Sequence, residues 1–212
     1  MIQTSVELLR RADIDAQKKA RCIDAIANTA ERGKRFTGQL LAFGRRSMLT
    51  PVRFDVGANI RALREMIGTL AGPRIEIDIV EEDACGVYAD SNQFDTAIVN
   101  IAVNVCDAMN REGRLCIRIR ETAQMPQRDS ACALTGRFVA VSVEDEGTGI
   151  AEEEIEAIFE PFFTTKPPGE GTGLGLSQVF GFAKQSGGDI FVQSTPGEGS
   201  TFTLYLPLCE RS

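Results

Sequence analysis

The 212-residue chain contains no histidine. That excludes a Ser-His-Asp triad, a histidine metal site and a histidine phosphoacceptor anywhere within these residues. No two cysteines are spaced CxxC, so a zinc ribbon or a redox pair is excluded as well. The six present, Cys22, Cys85, Cys106, Cys116, Cys132 and Cys209, are scattered among apolar neighbours and read as small buried hydrophobes of a reducing compartment. No apolar run approaches the roughly 18 residues that a membrane span needs. Residues 1–12 lack the basic-then-apolar layout of a signal peptide. Positive charge is in deficit, 23 Lys and Arg against 30 Asp and Glu for a net charge of −7. Nothing therefore points to nucleic acid or to an anionic membrane as a partner. The expected location is the cytoplasm. At 43% hydrophobic and 25% charged residues the chain is ordinary globular material, enough for one or two domains with a sizeable core.

Two regions differ in pattern. From residue 16 to residue 46 there is no proline. Ile23, Ile26, Ala30, Gly33, Thr37, Leu40 and Gly44 follow alternating spacings of three and four, a seam of small and apolar residues of coiled-coil type. Such a helix would be about 45 Å long. It packs either on its own domain or, as the small residues favour, as half of a helical hairpin that dimerises. Thr50-Pro51 breaks it. Beyond, short strands are expected at 52–56, 75–80, 86–89, 115–119, 138–143, 190–193 and 201–206. Helices are expected at 60–70, 91–109 and 174–185, and a polar loop at 122–136. The division is residues 1–50 and 51–212. The fold class is α+β, an α/β sandwich with a mixed sheet and helices on one face.

Four clusters carry chemistry. Asn100, Asn104 and Asp107, at i, i+4 and i+7, share one face of the 91–109 helix amid Ile98, Val99, Ile101, Val103 and Val105. They form either an exposed face or a polar stripe whose burial needs a partner such as Mg²⁺. Asp145-Glu146-Gly147-Thr148-Gly149-Ile150 follows a strand and is either a plain Asp-Gly turn or a loop built for close ligand approach. Gly169-Glu170-Gly171-Thr172-Gly173-Leu174-Gly175-Leu176 is either a flexible linker, against which Leu174 and Leu176 speak, or the opening of a helix whose N–H groups suit phosphate. It is no Walker loop, and Leu176 stands where a Rossmann turn would have its third glycine. Phe159-Glu160-Pro161-Phe162-Phe163-Thr164-Thr165-Lys166 is either a loop anchored in the core or part of the same site.

In order and spacing these four clusters resemble the ATP-binding module of sensor histidine kinases, within the Bergerat-fold superfamily. The resemblance covers about residues 52–207, with part of the dimerisation and phosphotransfer hairpin over about 13–48. FEPFFTTK at 159–166, GTGLGL at 171–176 and GEGSTF at 197–202 look like the nitrogen-regulatory and hybrid types. The resemblance implies a Bergerat-type sandwich preceded by an incomplete helical hairpin. It implies ATP and Mg²⁺ as cofactors, with Asn104 ligating the metal and Asn100 and Asp107 lining the pocket. Asp145 would bind the adenine amino group, Gly147 and Gly149 would let the backbone approach the base, and Ile150 would lie on its face. Residues 164–172 would form a lid seated by Phe159, Phe162 and Phe163. Thr165 and Thr172 would belong to the nucleotide site, and Lys166 would reach the γ-phosphate as the catalytic cation. Gly171, Gly173 and Gly175, with Leu174 and Leu176, would cradle phosphates, and Thr201 would sit near Asp145 and the adenine.

The resemblance further implies phosphoryl transfer to a histidine for relay to a response-regulator receiver domain, with the full-length kinase a homodimer. Hydrolytic relatives place a glutamate where Asn100 stands, and an amide is no base at neutral pH, so transfer is favoured over hydrolysis. The absent histidine departs from the pattern. The simplest expectation is a chain that begins after the acceptor, unable to phosphorylate itself. The alternatives are a non-catalytic docking or dimerisation module, an ATP-hydrolysing clamp of the same superfamily, and a serine kinase of the anti-sigma type.

Overall fold

The computed structural model describes residues 18, 19, 23, 50–83, 85–128, 130–167 and 171–209, the side chains of 130–132 excepted. Residues 18, 19 and 23 are helical; the rest of the helix expected over 16–46, with its seam, lies outside the described residues. The larger of two compact units comprises Leu49–Thr165 with Gly173–Ser212, and Lys166–Thr172 belongs to the other unit with Met1–Met48.

In the larger unit, strand β1 (Val52–Asp55) leads straight into helix α1 (Val56–Ala71), followed by β2 (Ile75–Glu81), β3 (Gly86–Ala89) and helix α2 (Ser91–Ala108). Next come β4 (Gly113–Gln127), β5 (Ser130–Asp145), two 3-10 turns at Glu152–Glu154 and Ala157–Phe159, helix α3 (Gly175–Gln185), β6 (Asp189–Thr195) and β7 (Gly199–Pro207). Strands β1 and β3 form a small antiparallel sheet of their own. The main sheet runs β2-β4-β5-β7-β6, with β2 and β4 parallel and every other pair antiparallel. This is the mixed sheet with one helical face that the sequence predicts.

Capping sets where the helices begin. The Asp55 carboxylate accepts from the Ala58 N–H at 2.8 Å, so α1 starts four residues before the apolar periodicity at Ile60. Asp90 caps α2 through the N–H groups of Asn92 and Gln93, both at 3.1 Å. Its second oxygen accepts from the Thr50 N–H at 3.0 Å. Apolar faces then meet. Ile60 and Ile67 of α1, Phe94, Ile98 and Ile101 of α2 and Val179 of α3 pack on Leu115, Ile117, Val141, Val143 and Leu204 of the sheet, all fully or almost fully buried. Each such aliphatic side chain contributes about 1.5–3 kcal/mol by leaving water.

The polar loop expected at 122–136 is instead a β-hairpin. Strands β4 and β5 stay paired through Gln124↔Thr135, Met125↔Leu134 and Gln127↔Ser130, with irregularities that leave Ala123 and Pro126 out of register. A proline is tolerated at such a bulge. The sequence hides these strands because the apolar residues of the extension do not alternate and a proline interrupts them. Met125, the one buried side chain among its described residues, packs with Phe138, Ala140 and Tyr205 on the sheet face away from the helices.

Of the cysteines, Cys85 and Cys106 lie in the core, as expected; Cys116 and Cys209 are half-buried. Burial, reinforced by the carboxylates of Asp83, Glu121, Asp55 and Glu81, pushes the Cys85 thiol up to about 11. Burial also raises Cys106. Thiolate is the reactive species, so iodoacetamide at pH 8 should leave Cys85 and Cys106 unmodified in the folded protein. Peptide mass spectrometry should find them alkylated only after denaturation.

Candidate functional site

The chain reverses at Asp145 by laying backbone on backbone. Thr148 N–H donates to the Ala108 carbonyl at the C-terminus of α2, 3.3 Å away, and Gly197 N–H donates to the Thr148 carbonyl at 2.8 Å. Such approach leaves no room for side chains. A Cβ at Gly147 would lie 2.9 Å from the Ala108 carbonyl. At Gly149, where φ is +67°, it would lie 2.2 Å from the Thr195 carbonyl. These glycines are therefore required by the chain's own packing, whatever they also offer a ligand. Ile150 follows, half-buried, its N–H held by the Ser194 hydroxyl at 2.8 Å.

This turn buries a carboxylate without fully satisfying it. Asp145 is 8% exposed. Its Oδ1 accepts from Gly147 N–H at 2.7 Å, whereas its buried Oδ2 has no hydrogen-bond partner. Burial pushes the carboxyl above the ordinary aspartate value, against the lowering effect of N–H groups from Gly147 and Ser200. A buried acceptor left open is costly unless a ligand fills it. An exocyclic amine is a donor of the right polarity.

Helix α2 links this end to a second one. Asn104 and Asn100 lie one and two turns before Ala108, so Asn100 is about 12 Å along the axis from it. Both are half-buried beside the start of α3: a Cβ on Gly175 would lie 3.6 Å from the Asn104 amide nitrogen and 3.7 Å from the Asn100 side-chain carbon. Asn100 donates to the Gly175 carbonyl at 3.5 Å and to Gln178 Oε1 at 3.3 Å. The Asn104 amide makes no hydrogen bond among the described residues. The first-turn N–H groups of α3, which have no intrahelical partner, complete a polar edge suited to anions. Among the described residues no group of three or more His, Cys, Asp and Glu could hold a metal. A metal here would take amide oxygen from Asn104 and the rest of its shell from ligand oxygens and water, which fits Mg²⁺.

Other expected residues fall elsewhere. Asp107 is engaged by Arg111, one turn on, at 2.7 Å. Thr201 stands opposite Glu144 in the β5–β7 register, which puts it on the sheet face away from Asp145. Ser200, its neighbour, takes the inner face and is buried against Ser194, hydroxyl to hydroxyl at 2.9 Å. Strand alternation at 199–207 was the available signal. The three phenylalanines separate as well: Phe159 is buried, Phe163 half-buried, and Phe162 is 53% exposed with φ +72°. Phe162 N–H donates to the Gly173 carbonyl at 2.8 Å, closing the base of the loop between them. Gly173, at φ +65°, would bring a Cβ within 2.4 Å of the Phe162 backbone. Leu174 is fully buried and Leu176 half-buried, anchoring the start of α3. Thr165 is exposed. Lys166, Gly171 and Thr172 fall in the other compact unit.

Residues 89–210 match the family described as histidine kinase-, DNA gyrase B- and HSP90-like ATPase. The chain is 43% identical over 188 residues to the sensor kinase CckA of Brucella abortus (strain 2308), covering 86% of this chain and 20% of that protein. It is 34% identical over 185 residues to the sensor histidine kinase ZraS of Klebsiella oxytoca, covering 86% of this chain and 37% of that protein. It thus spans well under half the length of these curated relatives. Among solved structures, the nucleotide-free catalytic domain of histidine kinase ThkA aligns with a TM-score of 0.58 at 27% identity, covering 74% of this chain and 95% of that one.

A carboxylate whose folded value is raised opposes folding when ionised, and that penalty is relieved as pH falls through its raised pKa. Asp145→Asn should therefore melt no lower than the parent at pH 8. Thermal melts in the two proteins should converge as the pH is lowered toward 5; a lower Tm for the variant at pH 8 would show that the carboxylate stabilises the turn.

Proposed function

The chain belongs to the histidine kinase-, DNA gyrase B- and HSP90-like ATPase family, and from that premise we propose that it binds Mg·ATP as the catalytic portion of a two-component sensor histidine kinase. The observation that carries the reading is the buried, unpartnered Oδ2 of Asp145. It would accept a hydrogen bond from the adenine amino group, and guanine, with a carbonyl there, would be rejected because acceptor would face acceptor. Asn104, with its free amide beside α3, would hold Mg²⁺, whose chemistry is to neutralise charge on the phosphates. The first-turn N–H groups of α3 would receive phosphate oxygens. Ile150 and the Gly147–Gly149 backbone would flank the base.

Asn100 separates transfer from hydrolysis. Its amide cannot take a proton from water at neutral pH, and its nitrogen is committed to Gly175 and Gln178. The pocket thus supplies positioning and charge stabilisation and no general base. Lys166 and Thr165 remain the candidates for contact with the γ-phosphate on sequence grounds, with Lys166 as the catalytic cation. The acceptor would be a histidine outside these residues, since the chain has none. The proposed partners are a receiver domain and a second copy of the kinase, in the cytoplasm.

Calorimetry with Mg·ATP, with Mg·GTP as control and phosphate release followed in parallel, tests the reading. ATP should bind, GTP should not, and turnover should be negligible. Asp145→Asn should weaken ATP binding by about 2 kcal/mol, some thirtyfold. Asn104→Ala should lose about tenfold in the presence of Mg²⁺ and almost nothing in EDTA. Brisk phosphate release would make the protein an ATPase, and no binding at millimolar ATP would leave a docking module.

A further inference from the structure

The tip of the β4–β5 hairpin reaches rings that flank the loop joining Phe162 to Gly173. Arg128 is the first residue of its turn, just after β4. Its guanidinium carbon lies 4.9 Å from the ring centre of Phe159, 5.3 Å from Phe180 and 5.2 Å from Phe191. Phe159 and Phe180 also pack on one another, with centroids 5.9 Å apart. The fork is aimed, although the residue itself is exposed. Nη2 donates to the Ile190 carbonyl at 2.6 Å, and Nε lies 3.8 Å from Asp189. Asp189 is 4% exposed and shares its charge with Lys184, 2.7 Å away.

Part of this is protection of an edge. Strand β6 is the last of the sheet, and capping the Ile190 carbonyl removes an acceptor that another strand could use. Edge protection needs only that one hydrogen bond, yet the cation is spent on three rings. Two of those rings sit on opposite sides of the loop: Phe159 ends the 3-10 turn before it, and Phe180 lies on α3 after it. The Phe162–Gly173 backbone bond joins the chain segments that carry them. Helix α3 is also the element whose first residue stands against Asn100 and Asn104.

We propose that Arg128 is a positioning residue for the nucleotide site, fastening Phe159 to Phe180 so that the loop base stays closed and α3 keeps its place beside Asn104. The affinity part of this rests on the function proposed above; the closure of the loop base does not. A cation over aromatic faces is well suited to the task, because it holds several rings at once and tolerates small shifts among them.

The test uses the full chain with Arg128→Ala and Arg128→Lys, and with Leu63→Ala of α1 as a core-destabilised control remote from the hairpin. Amide hydrogen exchange at Phe162 is read without nucleotide, and the Kd of Mg·ATP is read well below every variant's Tm. Arg128→Ala should exchange Phe162 about tenfold faster and bind Mg·ATP about tenfold more weakly. Arg128→Lys should recover most of both, and Leu63→Ala should lower Tm while changing neither. Parent-like exchange at Phe162 in Arg128→Ala overturns the proposal, as does an equal loss in Leu63→Ala. Faster exchange with unchanged Mg·ATP affinity overturns its nucleotide part. A parent protein that binds no Mg·ATP sinks the functional reading alone, and the exchange measurement still decides whether Arg128 closes the loop base.

Discussion

The constraint on which the site depends is the contact between the turn after β5 and the last residue of α2. Thr148 and Gly147 lie against the Ala108 carbonyl so closely that a methyl group on Gly147 would collide with it. Gly199 closes the same turn from β7, where a Cβ would lie 2.0 Å from the Asp145 carbonyl. Squeezed between two backbones, the Asp145 side chain has one oxygen taken by the turn and the other enclosed without a partner. Folding therefore creates a strong acceptor and hides it from water. The core supplies the free energy: the apolar faces of three helices against the sheet outweigh the cost of one unsatisfied carboxylate oxygen.

The second consequence of that contact is alignment. Because the turn sits on Ala108, helix α2 fixes the distance from Asp145 to Asn104 and Asn100, and a helix is a stiff spacer. At its other end Asn100 ties α2 to α3 through Gly175 and Gln178. An elongated ligand with an amine at one end and negative charge at the other would meet a complementary group at each. The same asparagine serves structure and chemistry together. As a tie between helices it is ordinary, and as a group in the pocket it denies the site a base.

Much of this was legible because it is local. The alternation in β2 announces a strand, the run from Ser91 announces α2, and the glycines at 147 and 149 mark a tight turn that the structure contains; the Asp55 cap, which starts α1 four residues early, went unread. What the sequence hid depends on pairing between distant segments. The 122–136 hairpin lacks a sustained polar-apolar alternation, so its strands show only through partners. Thr201 and Ser200 differ by one place in a strand, which reverses the face each occupies; the alternation of Phe202, Leu204 and Leu206 carried that signal unread, and the register with Glu144 settles it. The run of phenylalanines reads as one cluster in sequence. In the fold a left-handed backbone at Phe162 sends neighbours to different environments, and the true partner of Phe159 is Phe180. Nothing in the spacing of Arg128 could announce that it ends among three rings.

Asn104 and Arg128 show how differently the two halves of a site can be built. The groups that would touch a nucleotide lie on α2, on the start of α3 and at the end of β5, all anchored in the main core. The ends of the loop between Phe162 and Gly173 are joined by a backbone hydrogen bond and flanked by the rings of Phe159 and Phe180. The fastening at the loop's ends is thus separate from the core anchoring of Asp145. That division suits phosphoryl transfer, in which the pocket must hold the nucleotide in one geometry while the end that reacts is presented to a second group. In the proposed site, which offers no general base, the geometry in which the nucleotide's reactive end is held would decide whether phosphate moves.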